Sequence, residues 1–118
     1  MLKLKEGIKV YVSTELIDAR KSIDSLAARV IEVFEMNPQS GHLFIFFNKA
    51  KDKVKIIYWD NNGFVLHYKR LEKHRFVVPK LIGLERLEIS QLQLHGLLAG
   101  LDFTLMKHFP ELEYYKYA

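Results

Sequence analysis

Lysine and arginine are concentrated in the middle third of this 118-residue chain, and they are the side chains with the clearest chemical potential. Residues 41–80 hold nine of them against three acidic residues, residues 1–40 hold six against six, and residues 81–118 hold three against five. The net charge of +4 therefore comes from one strongly basic segment. Such a surplus is typical of a surface that binds a polyanion such as nucleic acid, although an ordinary solvated face also produces it.

Two segments of this basic region, residues 53–59 and 64–70, flank an Asp-Asn-Asn-Gly turn and predict a β-hairpin. Because side chains alternate along a strand, we expect one face to be the core side, made of Val54, Ile56, Tyr58, Phe64, Leu66 and Tyr68. The opposite face then combines cations with rings that can stack on bases, namely Lys53, Lys55, Trp59, His67, Lys69 and, from the next segment, Arg75. This composition predicts a nucleic-acid-binding sheet face. The alternative is that the charges fill the wet side of a half-buried sheet and that Trp59 packs beneath another element.

Residues that could support catalysis are few. Metal-dependent chemistry on nucleic acid needs two or three carboxylates around a metal pair, and the candidates are Asp18, Asp24 and Asp60. Each has a simpler interpretation, as a helix cap, a first-turn helix charge and a turn residue respectively. The sequence contains no HExxH motif, no G-x-S-x-G motif and no glycine-rich phosphate loop. We therefore predict no catalytic residue, no metal and no cofactor, and keep a small nuclease built on the three aspartates as an alternative.

Hydrophobic periodicity predicts the elements that position these residues. Apolar residues at helical spacing predict one long helix over residues 18–36, with Asp18 as its cap. Residues 8–12, 43–47 and 75–78 are predicted to form further strands, the second of them buried on both faces. The fold class is therefore α+β, an antiparallel sheet of about four to five strands with a meander in the middle third, one long N-terminal helix and one shorter C-terminal helix.

The C-terminal helix has the clearest local signature. Ser90 and Gln93 form a capping-box pattern, and Gly100 suits a helix C-terminus, so residues 90–99 are predicted to be helical. The leucines of this helix are expected to face the core.

Size and composition predict a single domain over residues 1–118, with a loosely packed aromatic tail over residues 103–118. A hydrophobic fraction of 49% excludes intrinsic disorder, and the absence of cysteine excludes a disulfide scaffold and a thiolate metal site. The sequence also shows no apolar signal segment and no stretch of the roughly 20 apolar residues that a membrane span needs. We therefore expect a cytoplasmic protein without a membrane partner.

Three blocks of residues together resemble a known family. They are residues 18–26 (DARKSIDSL), residues 38–46 (PQSGHLFIF), and a longer block over residues 55–79 that contains W-D-x-x-G-F followed by K-R-L-E. In these blocks the chain resembles the accessory protein encoded by the second open reading frame of IS66-family insertion sequences, often called TnpB and unrelated to the RNA-guided nuclease of that name. The main departures are Ala19 and Ser25, where the family has Met and Gly, and His74, where a turn glycine is common.

The resemblance implies a bacterial protein that acts in transposition beside a separate, larger transposase, which holds the catalytic carboxylates. The expected partners are DNA, without base-specific recognition, and that transposase. On this hypothesis the protein is a non-catalytic DNA-binding factor, and the candidate contacts of the hairpin are joined by Arg70 and by Arg20 and Lys21 of the first helix. Arg20 and Lys21 could instead form a brace with Asp24, because residues four apart on a helix can pair. The alternative function is an adaptor that docks the transposase through Trp59 and the aromatic tail.

Overall fold

The structure is a computed structural model that describes residues 4–80 and 86–106. Its elements are, in chain order, β1 (Val10–Ser13), α1 (Ile23–Arg29), a π-helical turn (Val30–Phe34), β2 (Leu43–Phe47), β3 (Lys53–Asp60), β4 (Gly63–Arg70), β5 (Arg86–Ile89), α2 (Gln91–Leu98) and a 3₁₀ turn (Phe103–Leu105). No helix in this part of the chain combines the length and hydrophobicity that crossing a bilayer requires.

The five strands form one mixed sheet in the order β4-β3-β2-β1-β5. Strands β2, β3 and β4 form the predicted antiparallel meander. Strand β1, however, pairs in parallel with β2 and antiparallel with β5. The prediction of a wholly antiparallel sheet was therefore wrong. The physical reason is the helix between β1 and β2, which carries the chain back across the sheet so that the next strand runs in the same direction.

The N-terminal helix is shorter than predicted. It spans 12 residues, counting α1 and the π-helical turn together, instead of extending over residues 18–36. Asp18 does not cap it, because the Asp18 carboxylate accepts the backbone N–H of Arg20 at 2.8 Å and forms a local turn. Ser22 is extended just before the helix, and Glu35 adopts a left-handed conformation (φ 55°) that ends it. Local hydrogen bonding therefore delays the helix start beyond the point that periodicity indicated.

Hydrophobic cores lie on both faces of the sheet, because the middle strand β2 buries all five of its residues. This confirms the prediction that residues 43–47 form a strand buried on both faces. The α1 face is filled by Leu26, Val30, Phe34, Phe44, Phe46 and Ile57. The α2 face is filled by Ile45, Phe47, Ile56, Leu94, Leu97 and Phe103. The sheet is thus sandwiched between two helices.

The capping signals of α2 are confirmed. The Ser90 hydroxyl accepts the Gln93 N–H at 3.0 Å, and the Gln93 side chain accepts the Ser90 N–H at 2.9 Å. Gly100 has φ 81°, the left-handed conformation that glycine adopts without a steric cost.

The prediction of a strand over residues 75–78 was wrong. That stretch has no regular secondary structure; instead Phe76 packs into the α2-side core, and the last strand is β5. The predicted aromatic tail begins with Phe103, which is fully buried, and its tyrosines at 114, 115 and 117 lie outside the described residues.

Candidate nucleic-acid interface

The turn of the hairpin decides which side chains share a face. Asp60 pairs with Gly63, so the turn has two central residues, and each odd-numbered residue of β3 lies opposite an even-numbered residue of β4. Lys53 therefore pairs with Arg70, and Lys55 pairs with Tyr68. The prediction that His67 and Lys69 share a face with these lysines was wrong, because a change of register by one residue moves every side chain of a strand to the other face.

His67 and Lys69 instead serve the α2 side of the sheet. The His67 ring stacks on Tyr58, with ring centroids 5.7 Å apart and an interplanar angle of 15°. The Lys69 Nζ donates to the carbonyl oxygen of Leu98 at 2.6 Å, at the end of α2. A cation at a helix C-terminus interacts favourably with the exposed carbonyls and the helix dipole. Lys69 therefore ties α2 to the edge strand.

Trp59 lies at the other end of β3 from the lysines. It is six residues beyond Lys53, which corresponds to about 20 Å along a strand. Its ring packs edge-to-face on Phe64, with centroids 5.0 Å apart. Trp59 also lines a groove of about 340 Å³, together with Leu4, Lys5, Ile8, Gln39, Ser40, Gly41, Leu43, Tyr58, Asp60 and Asn61. The predicted arrangement of an indole among cations is therefore not formed.

Lys55 acts as an internal brace. Its ammonium group donates to the carbonyl oxygens of Ala19 and Lys21, both at 2.6 Å, and lies 5.6 Å from the centroid of the Tyr68 ring. A lysine has three N–H donors; two of them are used by these carbonyl oxygens, and the Tyr68 ring lies within cation–π distance. Lys55 thus fixes the 19–21 loop against the sheet, and we do not count it among the groups that can contact phosphate.

Arg20 and Lys21 lie in that loop and precede α1. Arg20 forms a two-point ion pair with Asp18, with N···O distances of 2.8 and 3.1 Å, so the brace proposed with Asp24 is not formed. These hydrogen bonds hold the pKa of the Asp18 carboxyl well below its usual range. Lys21 is exposed, and its ammonium group has no partner within the described part of the chain.

The largest concentration of positive charge lies at one end of the sheet, in residues 49–53 and 70–75, which we call the basic loop end. Three hydrogen bonds join the first segment to the second and to the adjoining Phe76. The Leu71 N–H donates to Asp52 O at 2.8 Å, the Phe76 N–H donates to Lys51 O at 2.7 Å, and the Arg75 guanidinium donates to Ala50 O. The segments contribute six cations against two carboxylates, namely Lys49, Lys51, Lys53, Arg70, Lys73 and Arg75 against Asp52 and Glu72. Residues distant in sequence thus form one basic surface.

The two carboxylates neutralise only two of these cations. Asp52 pairs with Lys53 at 3.2 Å, and Glu72 pairs with Arg70 at 2.8 Å. Four cations remain uncompensated, and the ammonium groups of Lys49 and Lys73 have no partner within residues 4–80 and 86–106. Neighbouring cations without counter-charges create a positive potential that attracts phosphates.

Asn48 holds the first basic segment in shape. It is 6% exposed, its Nδ2 donates to Asp52 Oδ1 at 2.7 Å, and its Oδ1 accepts the backbone N–H of Lys53 at 2.9 Å. The hydrogen bond from Asn48, followed by those from Lys53, lowers the pKa of the Asp52 carboxyl. In the second segment His74 adopts φ 66°, a left-handed conformation that favours glycine.

Tyr68 supplies the aromatic ring of this surface. It lies on the same face as Lys53 and Arg70, and 52% of it is exposed. Sequence reasoning assigned Tyr68 to the core and missed Lys49, Lys51 and Lys73. The two-residue turn, read as a register constraint, would have placed Tyr68 correctly. The basic residues that flank the hairpin on both sides would then have placed the three lysines at one end of the sheet.

The three aspartates of the nuclease alternative do not converge. Asp18 adjoins the 19–21 loop that Lys55 holds. Asp60 is five residues beyond Lys55 on the same extended strand, so Lys55 and Asp60 are about 17 Å apart. Asp24 is exposed on α1. Within residues 4–80 and 86–106, no group of three or more metal-ligating side chains could hold an ion. The carboxylate cluster that this alternative requires is therefore missing from that part of the structure.

Comparison with known proteins identifies the family. The model of the IS66 Orf2-like proteins matches residues 8–108, which include every strand, both helices and the whole basic loop end. The chain belongs to the IS66 Orf2-like family. This membership confirms the resemblance found in the sequence and associates the protein with IS66 insertion sequences.

Two relatives of this IS66 Orf2-like protein come from Sinorhizobium fredii. Uncharacterized protein y4hO is 39% identical over 103 residues, which cover 87% of this chain and 89% of the relative. Uncharacterized protein y4jC is 33% identical over 110 residues, which cover 93% of each chain. No solved structure matches the IS66 Orf2-like chain.

Proposed function

We propose that this IS66 Orf2-like protein is a non-catalytic accessory factor of transposition that binds DNA through the basic loop end. The observation that supports this most directly is the joining of residues 49–53 and 70–75 into one surface with four uncompensated cations. Such a surface neutralises phosphates without reading bases, because its contacts are charges carried on loops. The expected role is to hold element DNA while a separate transposase performs the chemistry.

Salt dependence of DNA binding tests this proposal. Four phosphate contacts predict that the logarithm of the association constant falls with the logarithm of salt concentration with a slope of about −3.5 on duplex DNA. The double variant Lys49→Glu/Lys73→Glu removes two contacts and should change the slope to about −2, with affinity at 0.1 M salt about tenfold weaker or more. Both side chains are exposed, so we expect the fold to be retained.

The matched control is Lys5→Glu/Lys9→Glu, which makes the same charge change at the opposite end of the sheet. Lys5 lines the Trp59 groove, and Lys9 lies beside β5, with its Nζ 4.0 Å from Glu88. If DNA binding depends on the basic loop end, this control keeps the slope of the unmodified protein. Equal losses in the two double variants would show that only net charge matters and would contradict the proposal.

The Trp59 groove supports a second candidate function, an adaptor that docks the transposase. The groove is lined by Trp59 together with the apolar residues Leu4, Ile8 and Leu43, the kind of pocket that accepts an anchor residue of a partner. Because it lies at the opposite end from the basic loop end, variants separate the two functions. In this case Trp59→Ala should abolish nuclease-resistant capture of the transposase, while Lys49→Glu/Lys73→Glu leaves it intact. The reverse pattern would refute the adaptor function.

A further inference from the structure

The Tyr68 side chain is exposed to solvent, and its ring is nevertheless held in position by a neighbouring cation. More than half of it reaches solvent, although it lies directly opposite the partly buried Lys55. The Lys55 ammonium lies 5.6 Å from the centre of the ring and is itself held by two carbonyl oxygens at 2.6 Å. A cation fixed in this way orients the ring and leaves the rest of its surface to solvent.

Further cations lie at the same end of the sheet as the ring. Arg70 lies two residues farther along β4, about 7 Å away, and the two joined loops that carry the four uncompensated cations begin beside it. Arg70 pairs with Glu72, but both side chains are more than half exposed, so a phosphate can replace the carboxylate at small cost. This end of the sheet therefore offers one ring for stacking and several cations for a sugar-phosphate backbone.

The edge position of β4 decides what can reach the ring. β4 is the outermost strand of the sheet, so a nucleic-acid strand can lie along it without meeting another strand. In duplex DNA the faces of the bases are covered by their neighbours, and a side chain on a flat sheet surface cannot stack on them. Unpaired bases have free faces, and stacking on an aromatic side chain tolerates any sequence.

The geometry points to unpaired, single-stranded DNA as the preferred ligand of the basic loop end, with Tyr68 as the residue on which a base stacks. This inference rests on the proposed function and makes it more specific. Phosphate contacts by the loop cations serve single and double strands alike, whereas the Tyr68 contact serves only the single strand.

Fluorescence anisotropy with a labelled oligonucleotide, as a single strand and annealed to its complement at the same salt concentration, tests the inference. The single strand should bind at least about fivefold more tightly. Tyr68→Ala should weaken single-strand binding by about five- to a hundredfold and leave duplex binding within twofold, because base stacking contributes to one ligand only. Tyr68→Phe keeps the ring and should bind like the unmodified protein.

The outcomes separate this inference from the proposed function. Salt-dependent DNA binding with equal single-strand and duplex affinities, or an equal loss for both ligands in Tyr68→Ala, overturns the inference and leaves the proposed function standing. Absence of salt-dependent binding to either ligand overturns both. Tyr68→Leu preserves apolar bulk beside Lys55 without an aromatic face, so it must reproduce the Tyr68→Ala result if stacking is the cause. Binding of single-stranded RNA more tightly than DNA of the same sequence would also overturn the choice of ligand.

Discussion

Truncation of Asn48 is expected to destabilise the protein and to disorganise the basic loop end at the same time. Asn48→Ala removes a buried side chain that makes two hydrogen bonds, to the Asp52 carboxylate at 2.7 Å and from the Lys53 amide at 2.9 Å. The Lys53 N–H then loses its side-chain acceptor in a partly buried position. A net loss of about 1 kcal/mol for each hydrogen bond, together with the unsatisfied amide, predicts a total cost of about 2–3 kcal/mol.

Urea unfolding measures this cost. With an m value of about 2 kcal/mol/M, the midpoint of Asn48→Ala should fall by about 1 M or more. The matched control is Asn62→Ala in the exposed β3–β4 turn at the opposite end of the sheet, for which we expect a change within about 0.5 kcal/mol. Equal midpoints for the two variants would refute the assignment of Asn48 as the residue that organises this loop.

Loss of Asn48 should also be visible in DNA binding. Without the side chain, the loop that carries Lys49 and Lys51 has fewer contacts to keep it against the second basic segment. We expect weaker duplex binding at temperatures where the variant is still folded, and the Asn62→Ala control should bind normally. Normal binding by folded Asn48→Ala would mean that the cations do not need this loop geometry.

Three further predictions concern single groups. The hydrogen bond from Asn48 depresses the pKa of Asp52 below its ordinary value of 3.8. The ionised Asp52 carboxylate therefore stabilises the fold above about pH 4, and this stabilisation is lost as pH falls through the lowered pKa. Asp52→Asn should flatten the fall of melting temperature in this acid range. Burial and the charge of Lys9 lower the pKa of His42, so the stability of the protein should fall as pH drops below about 6.5. The His42 Nδ1 accepts the Lys9 backbone N–H at 3.0 Å, so NMR should find the Nε2–H tautomer. A protonated Nδ1 at neutral pH would refute this. Ser90→Ala removes the side-chain cap of α2 and should cost about 1 kcal/mol in urea unfolding, and an unchanged midpoint would show that the cap is dispensable.

The structure changes which residues carry the DNA-binding hypothesis. Tyr68 and Arg70 belong to the same face as Lys53, whereas His67 and Lys69 belong to the other face. The loop lysines, in contrast, become important only because the chain brings residues 49–53 beside residues 70–75. A charge count over residues 41–80 could indicate the surplus of lysine and arginine but could not show on which part of the surface these residues lie.

Several elements could be predicted because their signals are local. The capping box of α2 depends on two residues three positions apart, and β2 is an uninterrupted apolar run, so both formed as expected. The first helix was predicted too long because hydrophobic periodicity does not show a competing local hydrogen bond. The Asp18 carboxylate accepts the Arg20 backbone N–H, and this turn takes the place of the first helical turn.

The family, the positions of the meander strands and the basic character of the middle third could be predicted from residue identity, alternation and composition within short segments. Long-range packing, in contrast, makes β1 parallel to β2, uses Lys55 as a brace and puts Tyr68 on the face of Lys53 and Arg70. These outcomes depend on strand register and on contacts between residues more than thirty positions apart, as between Lys55 and the 19–21 loop. Such contacts are selected by the packing of the whole chain, and no local pattern encodes them.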